Sequence, residues 1–403
     1  MNHSGSADLA LMGGAIPPWL YERMKKLSLA IVEAILTEYG HQAFLAKMAD
    51  PFWFQSFGAV IGMDWNSSGV TTAVMRALKS TVNPHSKQLG LYICGGKGKQ
   101  SLRTPAELEA YGQRTGLDGL ALARSSKLAA KVDNTALQDG YQLYLHNFVL
   151  SDQGDWTVIQ QGMKPKDASA RRYHWYSGHL ESFIREPHSA VCGEQQGEIL
   201  NLVAESAGPT QQGVLQLTQE KPEHILREIP RLVLPNYYGV KSKDVNLKRL
   251  GSILWLAQET ETRNFEELLL LKGLGPRTLQ SLTLVSEVIH GTSSRFSDPA
   301  RFSFAHGSKG GKPFPVPTKI YDETISALRK AVDMAKIGQS DKQRAIQKLG
   351  QLAQQAEEGF TPKDNLKAVL EKEKREAWKH GGRTISGFSK KPPNQQLRLF
   401  DDE

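Results

Sequence analysis

The chain has 403 residues, a formal net charge of +8, 39% hydrophobic and 23% charged residues and a pI of about 9.2. That length accommodates two or three domains with at least one sizeable core, the composition is that of an ordinary soluble protein, and no apolar run reaches membrane-spanning length. Two cysteines, Cys94 and Cys192, exclude a disulfide framework and a cysteine-based zinc cluster, and the modest positive charge favours a polyanionic partner.

The segment MNHSGSADLALMGG lacks a charged region followed by an apolar one, so no signal peptide is expected and a reducing cytoplasm is. Pro17 and Pro18 enter a helix whose apolar face carries Met24, Leu27, Leu29, Ile31, Ile35 and Leu36, and Gly40 is expected to end it. The apolar, aromatic run Phe52–Gly62 leads to Asp64. Asp64 either caps the helix Val70–Lys79 or ligates a metal, and Ser67–Ser68–Gly69 offers hydroxyls and amides to a phosphate at that helix start.

Leu89–Cys94 reads as a short buried strand, and Gly95–Gly–Lys97–Gly–Lys99–Gln–Ser101 follows it. Its glycines let amides approach an anion and its lysines add charge, so Lys97 and Lys99 are candidate nucleic-acid contacts, without the spacing of a Walker A loop. Thr104 and Glu107 are placed as a capping box for the helix Pro105–Tyr111, and Leu117–Val132 makes a second helix.

The chemically densest stretch is Ala129–Trp175. Tyr141–Leu150, the turn cluster Ser151–Asp155 and Trp156–Ile159 predict a β-hairpin. Asp139 stands at the mouth of its first strand and Gln160–Gln161 at the exit of its second, so these ends are expected to converge near Asp133 and the pair Arg171–Arg172. A carboxylate, amides, a histidine and two arginines suit a metal ion or a phosphate. His188, Cys192 and Glu194 form a looser second cluster, before a helix expected around Glu198–Ser206.

The stretches DWNSSGVTT (64–72), GGKGKQS (95–101), AKVDNTALQDGYQLYLH (130–146), WTVIQQGM (156–163), ARRYHW (170–175) and FSFAHGSKGGKPFPV (302–316) resemble the family called domain of unknown function 763. The resemblance covers roughly residues 1 to 335 and implies no established reaction.

Residues from about Lys221 to Gly291 are predicted helical: Glu223–Leu234, Val245–Glu259 and Phe265 onward. Within them Leu268–Leu279 is similar to a helix-hairpin-helix element. Gly273 and Gly275 are expected to permit a tight turn at positive φ, Leu274 to anchor it, and the amides that open the second helix to face a phosphate, assisted by Lys272, Arg277 and Thr278. Such a site grips backbone rather than sequence. Aromatics, glycines and lysines, Lys309 among them, interleave over Phe302–Val316, a pattern that either clamps a nucleic-acid strand or packs on the core. Tyr321–Lys336 is a further helix. Beyond Gln339 few large apolar residues remain; Ala345–Ala356 and Asn365–Lys379 are helical candidates, and Gly381–Asn394 reads as a disordered linker. Gln396–Leu397–Arg398–Leu399–Phe400 resembles the peptide by which bacterial repair and replication proteins dock on the DNA sliding clamp: a glutamine for a polar rim, leucine and aromatic anchors for an apolar pocket.

The expected fold is α+β: a mixed α/β domain with a β-hairpin over residues 1–210, an all-helical region over 215–336 and a tail over 337–403. Three functions compete. The first is a metal-dependent nuclease of DNA repair or replication recruited by the clamp, with Mg²⁺ or Mn²⁺ on Asp64, Asp133 and Asp139, proton transfer by His146 or Lys131, and Gln161, Arg171 and Arg172 completing the centre. The second is a non-catalytic DNA-binding factor brought to the clamp. The third is an RNA-processing enzyme. Gln160–Gln161–Gly162 stands where common nucleases carry an acid-x-lysine, a departure that weakens any metal role.

Overall fold

Helix α1 (Pro18–Ala49) buries Met24, Ile31, Val32, Ile35, Phe44 and Met48. Gly40 leaves the helical path at φ 78 and ψ 178, so the first helical segment ends there as expected, and a second segment continues across the kink to Ala49. Asp50 then caps α2 (Pro51–Ile61) by accepting from the Trp53 amide at 2.7 Å. Every residue of α2 is buried, so removing a ring such as Phe54 costs about 3–5 kcal/mol. In this computed structural model the described residues are 9–10, 16, 18–63, 69–164, 169–238, 241–300, 318–335, 338–358, 383–384 and 387–388. Asp64, Ser67, Ser68, Lys309 and the peptide Gln396–Phe400 lie outside them, as does the helix expected over Asn365–Lys379.

The fold is α+β. Helices α3 (Gly69–Val82) and α4 (Ser86–Leu89) lead into β2 (Leu91–Lys97), followed by α5 (Thr104–Thr115), α6 (Gly119–Lys131), a π-turn at Val132–Ala136 and β3 (Leu137–Gln138). The predicted hairpin is present as β4 (Gln142–Ser151) and β5 (Trp156–Lys164), closed where Ser151 N–H donates to Asp155 O at 2.8 Å. Next come β6 (Ser169–Tyr176) and β7 (Ala190–Cys192). The sheet is antiparallel in the order β1 (Leu9–Ala10)–β6–β5–β4–β2, with β7 also on β6.

Alternation along the strands divides the interior into two apolar layers. Phe148, Leu150, Val158, Tyr173 and Trp175 face one core; Ile93, Val149, Ile159 and Tyr176 face the other, with α1, α2 and α3. The first core continues without interruption through α7 (Gly208–Gln219), α8 (Pro222–Glu228), α9 (Leu247–Glu259), α10 (Phe265–Leu270) and α11 (Pro276–His290). One apolar cluster spans residue 210, within the compact unit His3–Gln355. Helices α12 (Thr318–Met334) and α13 (Gln339–Glu358) place Leu328, Val332 and Leu349 in the α1–α3 core rather than among α7–α11.

Two local expectations fail for physical reasons. Glu198–Asn201 is strand β8, not a helix, because its short apolar run is claimed by pairing with β3 and with β9 (Phe296–Ser297). Thr104 lies inside α5 with its hydroxyl donating to Ser101 O at 2.7 Å. Glu107 turns away to Lys79 and to the Gly95 amide, so there is no capping box. No helix among the described residues is long and apolar enough to cross a membrane.

Candidate functional site

Side chains of adjacent residues on a strand point to opposite faces, and this divides the expected polar centre. Arg171 and Gln160 enter the core shared with α6 to α11, whereas Arg172 and Gln161 enter the other side. Asp139 and Gln161 therefore do not converge.

Arg171 is wholly buried. Its guanidinium donates to Asp139 at 3.0 Å and bidentately to Asp298 at 2.9 and 2.8 Å, and also to the Glu194 carbonyl. Asp139 additionally accepts from the Tyr173 hydroxyl at 2.7 Å and the Tyr141 amide at 3.0 Å. Burial raises the Asp139 carboxyl above its usual range while Arg171 pulls it down. Burial also opposes the charge on Arg171, but Asp139 and Asp298 outweigh it and hold the guanidinium protonated. Asp298, the second half of this cluster, stands 127 residues away in sequence, and no local pattern marked it.

Asp133 accepts from Gln160 at 2.6 Å, from the Trp175 indole at 3.0 Å and from His188. Gln160 passes its own oxygen to His146 at 2.8 Å, so His146 Nδ1 carries the proton and Nε2 accepts from Ser126 at 2.8 Å. Burial lowers the His146 pKa to about 4, with the Gln160 hydrogen bond acting against it. A neutral, fully buried imidazole with both nitrogens engaged is a core histidine, not a poised base.

Across the sheet, Arg172 donates to His174 at 2.8 Å, to Gln55 at 3.0 Å and to Thr71 at 3.3 Å. Burial lowers its pKa, and among the described residues no carboxylate pairs with it. Gln161 donates to the Tyr144 hydroxyl at 2.7 Å, and Lys97 lies over the Tyr144 ring at 5.7 Å.

These donor sets do not fit Mg²⁺ or Mn²⁺. The oxygens of Asp133 and Asp139 are occupied by protein donors, and the described residues hold no group of three or more His, Cys, Asp or Glu suited to a metal. His188, of the looser second cluster, is spent on Asp133, while Cys192 is buried beside Arg172 with its thiol pushed up to about 11, burial being the main cause. Lys97 and Lys99 are exposed, but the Gly95 amide goes to Glu107 and its carbonyl to Lys79. Gly95 is needed for a different reason: a Cβ there would lie 2.2 Å from the His146 carbonyl oxygen, too close for β2 to pair with β4.

The second arrangement is the helical hairpin α10–α11. Asn264 caps α10, the chain turns through Leu271–Gly275, and Pro276 opens α11. Only Gly273 takes positive φ, at 91°; Gly275 is extended at −124° and serves as the N-cap. Leu274 is buried at 2% exposure and anchors the turn, whereas Lys272 and Arg277 are exposed; Thr278 is buried. The turn is held from below. Lys131 Nζ donates to Leu274 O at 2.6 Å and Gln138 to Pro276 O at 2.8 Å. Lys131, expected to move protons, is thus a brace, and burial lowers its pKa. Arg249 approaches Gly273 O at 3.4 Å from the start of α9. A cleft of about 450 Å³ opens there, lined by Asp244, Asn246, Arg249, Gly275, Arg277 and Ser281. The first-turn amides of a helix have no intrahelical acceptors, and Gly275 supplies no capping side chain.

Comparison with curated proteins returns no match, and comparison with solved structures returns none. A family model described as a protein of unknown function (DUF763) matches residues 5–316, a span that holds both the buried polar clusters and the hairpin. The chain belongs to that family.

Proposed function

We propose that this protein is a cytoplasmic DNA-binding factor of repair or replication, which grips the phosphate backbone with the α10–α11 hairpin and is brought to a sliding clamp by Gln396–Phe400. The observation that carries it is the α11 N-terminus: uncapped, braced by Lys131 and Gln138, and flanked by the exposed cations Arg249, Lys272 and Arg277. Fixed amides at the positive end of a helix dipole beside exposed cations suit a phosphate of any sequence. The net charge of +8 adds a general attraction, and the free, buried cysteines suit a reducing compartment.

The non-catalytic role is favoured over the nuclease. Asp133, Asp139, Arg171 and Arg172 have at most 2% exposure and spend their polar atoms on hydrogen bonds within the protein rather than presenting them to a phosphodiester. Of the three expected ligands for Mg²⁺ or Mn²⁺, Asp64 is the one that lies outside the described residues. Incubating the full-length protein with single-stranded, double-stranded and branched DNA, with and without each metal, tests the non-catalytic role. Retention of DNA without cleavage is expected; metal-dependent cleavage abolished by Asp64→Asn replaces it with the nuclease.

A further inference from the structure

Trp255 is 50% exposed on α9, two turns beyond the hairpin cleft. A lone surface aromatic needs no explanation, but this one lines a second cleft of about 470 Å³ with Lys221, His224, Arg227 and Gln258, and with Glu223 as the acid on its lining. Gln258 is fixed by donating to the Glu220 carbonyl at 2.6 Å, which holds one wall of the cleft against the end of α7. Lys221 and Arg227 are exposed and have no ion-pair partner among the described residues. His224 is 65% exposed in its side chain and only 4.0 Å from Glu220.

The position along α9 matters. Exposed residues Lys248, Ser252 and Trp255 follow the i, i+4, i+7 spacing of one helix face, which sets a cation on the same side of α9 as the indole. Seven residues of helix rise about 10 Å, so Lys248 stands about that far from Trp255 along the face. A single strand that lays a base on Trp255 meets the cations Lys221 and Arg227 on the lining of the same cleft and Lys248 along the same face of α9. A duplex keeps its bases stacked on one another, so the indole face is useful only to an unpaired base.

Resting on the DNA-binding role proposed above, we infer that the Trp255 cleft is a stacking site for an unpaired nucleobase, so that the protein prefers DNA in which a duplex adjoins a single strand. The test is fluorescence anisotropy of full-length protein with a blunt duplex, the same duplex carrying a single-stranded extension, and the single strand alone. Trp255→Ala is expected to weaken binding of the extended duplex about five- to hundredfold, the factor for one lost stacked base, and to leave the blunt duplex unchanged. Trp255→Phe should restore most of the loss, and Arg227→Gln should give a smaller one. Circular dichroism checks that each variant is folded. Wild-type affinity of Trp255→Ala for the extended duplex overturns the inference, as does an equal loss on blunt and extended duplexes, which would mark a contact to backbone or to a protein partner. In either case Arg277→Glu still reports on the hairpin separately. Absence of binding to all three probes overturns both proposals.

Discussion

The ammonium of Lys131, the last residue of α6, donates to the carbonyl oxygen of Leu274 across 2.6 Å. This bond ties the helix between strands β2 and β4 of the central sheet to the turn of the helical hairpin, 143 residues away. With Gln138 on Pro276 it makes the turn a supported platform rather than a surface loop. Lys131→Met leaves the Leu274 carbonyl without its donor, at a cost of about 1–3 kcal/mol. Urea denaturation should register that loss. DNA affinity should fall with it, because the amides of α11 lose their fixed direction. Unchanged stability would show that the brace is incidental.

The two neighbouring arginines should behave differently. Arg171→Met strands Asp139 and Asp298 as buried carboxylates, and breaking a buried ion pair from one side costs about 3–5 kcal/mol. Arg172 has no carboxylate partner among the described residues, so Arg172→Met removes a costly buried charge and leaves only the dipoles of Gln55, Thr71 and His174 to resettle. Its cost should be clearly the smaller, about 1–3 kcal/mol at most. Equal losses in chemical denaturation would contradict the opposite-face assignment.

His146 supplies a pH dependence with a definite sign. Its folded pKa, lowered to about 4 by burial, lies below the ordinary 6.5. The unfolded chain therefore binds the extra proton between those values, and the stability linked to this group is present above pH 6.5 and lost as pH falls toward 4. The full difference is ~3 kcal/mol. His146→Gln should flatten the fall in melting temperature between pH 7 and pH 5. A variant as acid-sensitive as the wild type would assign that sensitivity elsewhere.

Much of the fold was legible because it is local. Alternating apolar residues and a five-residue turn cluster mark the β4–β5 hairpin, and the glycine-leucine-glycine turn with proline marks the start of α11. The polar centre was less legible because its partners are distant or its faces alternate. Asp298 reaches Arg171 from 127 residues away, and Arg171 and Arg172, adjacent in sequence, are separated by the sheet itself. Glu198–Asn201 is not legible as a strand because four residues carry no period of their own; pairing with β3 and β9 makes it one. Which helices share a face of the sheet is hidden for the same reason, since composition does not reveal that α7–α11 pack on one face and α1–α3 on the other.

The peptide Gln396–Phe400 makes a separable prediction. Burying Leu399 and Phe400 contributes roughly 3–5 kcal/mol before ordering costs, so a Kd on the order of micromolar is expected. A synthetic peptide of residues 391–403 should bind the sliding clamp of the same organism, and replacing both residues by alanine should abolish binding. An intact peptide that fails to bind at the highest soluble concentration removes the clamp from the account.

The central claim is that the α10–α11 hairpin holds DNA by its phosphates, and it is tested most directly by the salt dependence of affinity for wild type and Arg277→Glu on several unrelated duplex sequences. Wild-type log affinity should fall linearly with log salt and vary little with sequence; Arg277→Glu should bind every sequence more weakly by a similar factor, with a salt slope smaller by about one. Binding that ignores salt, or an Arg277→Glu variant that binds as tightly as wild type, would contradict it.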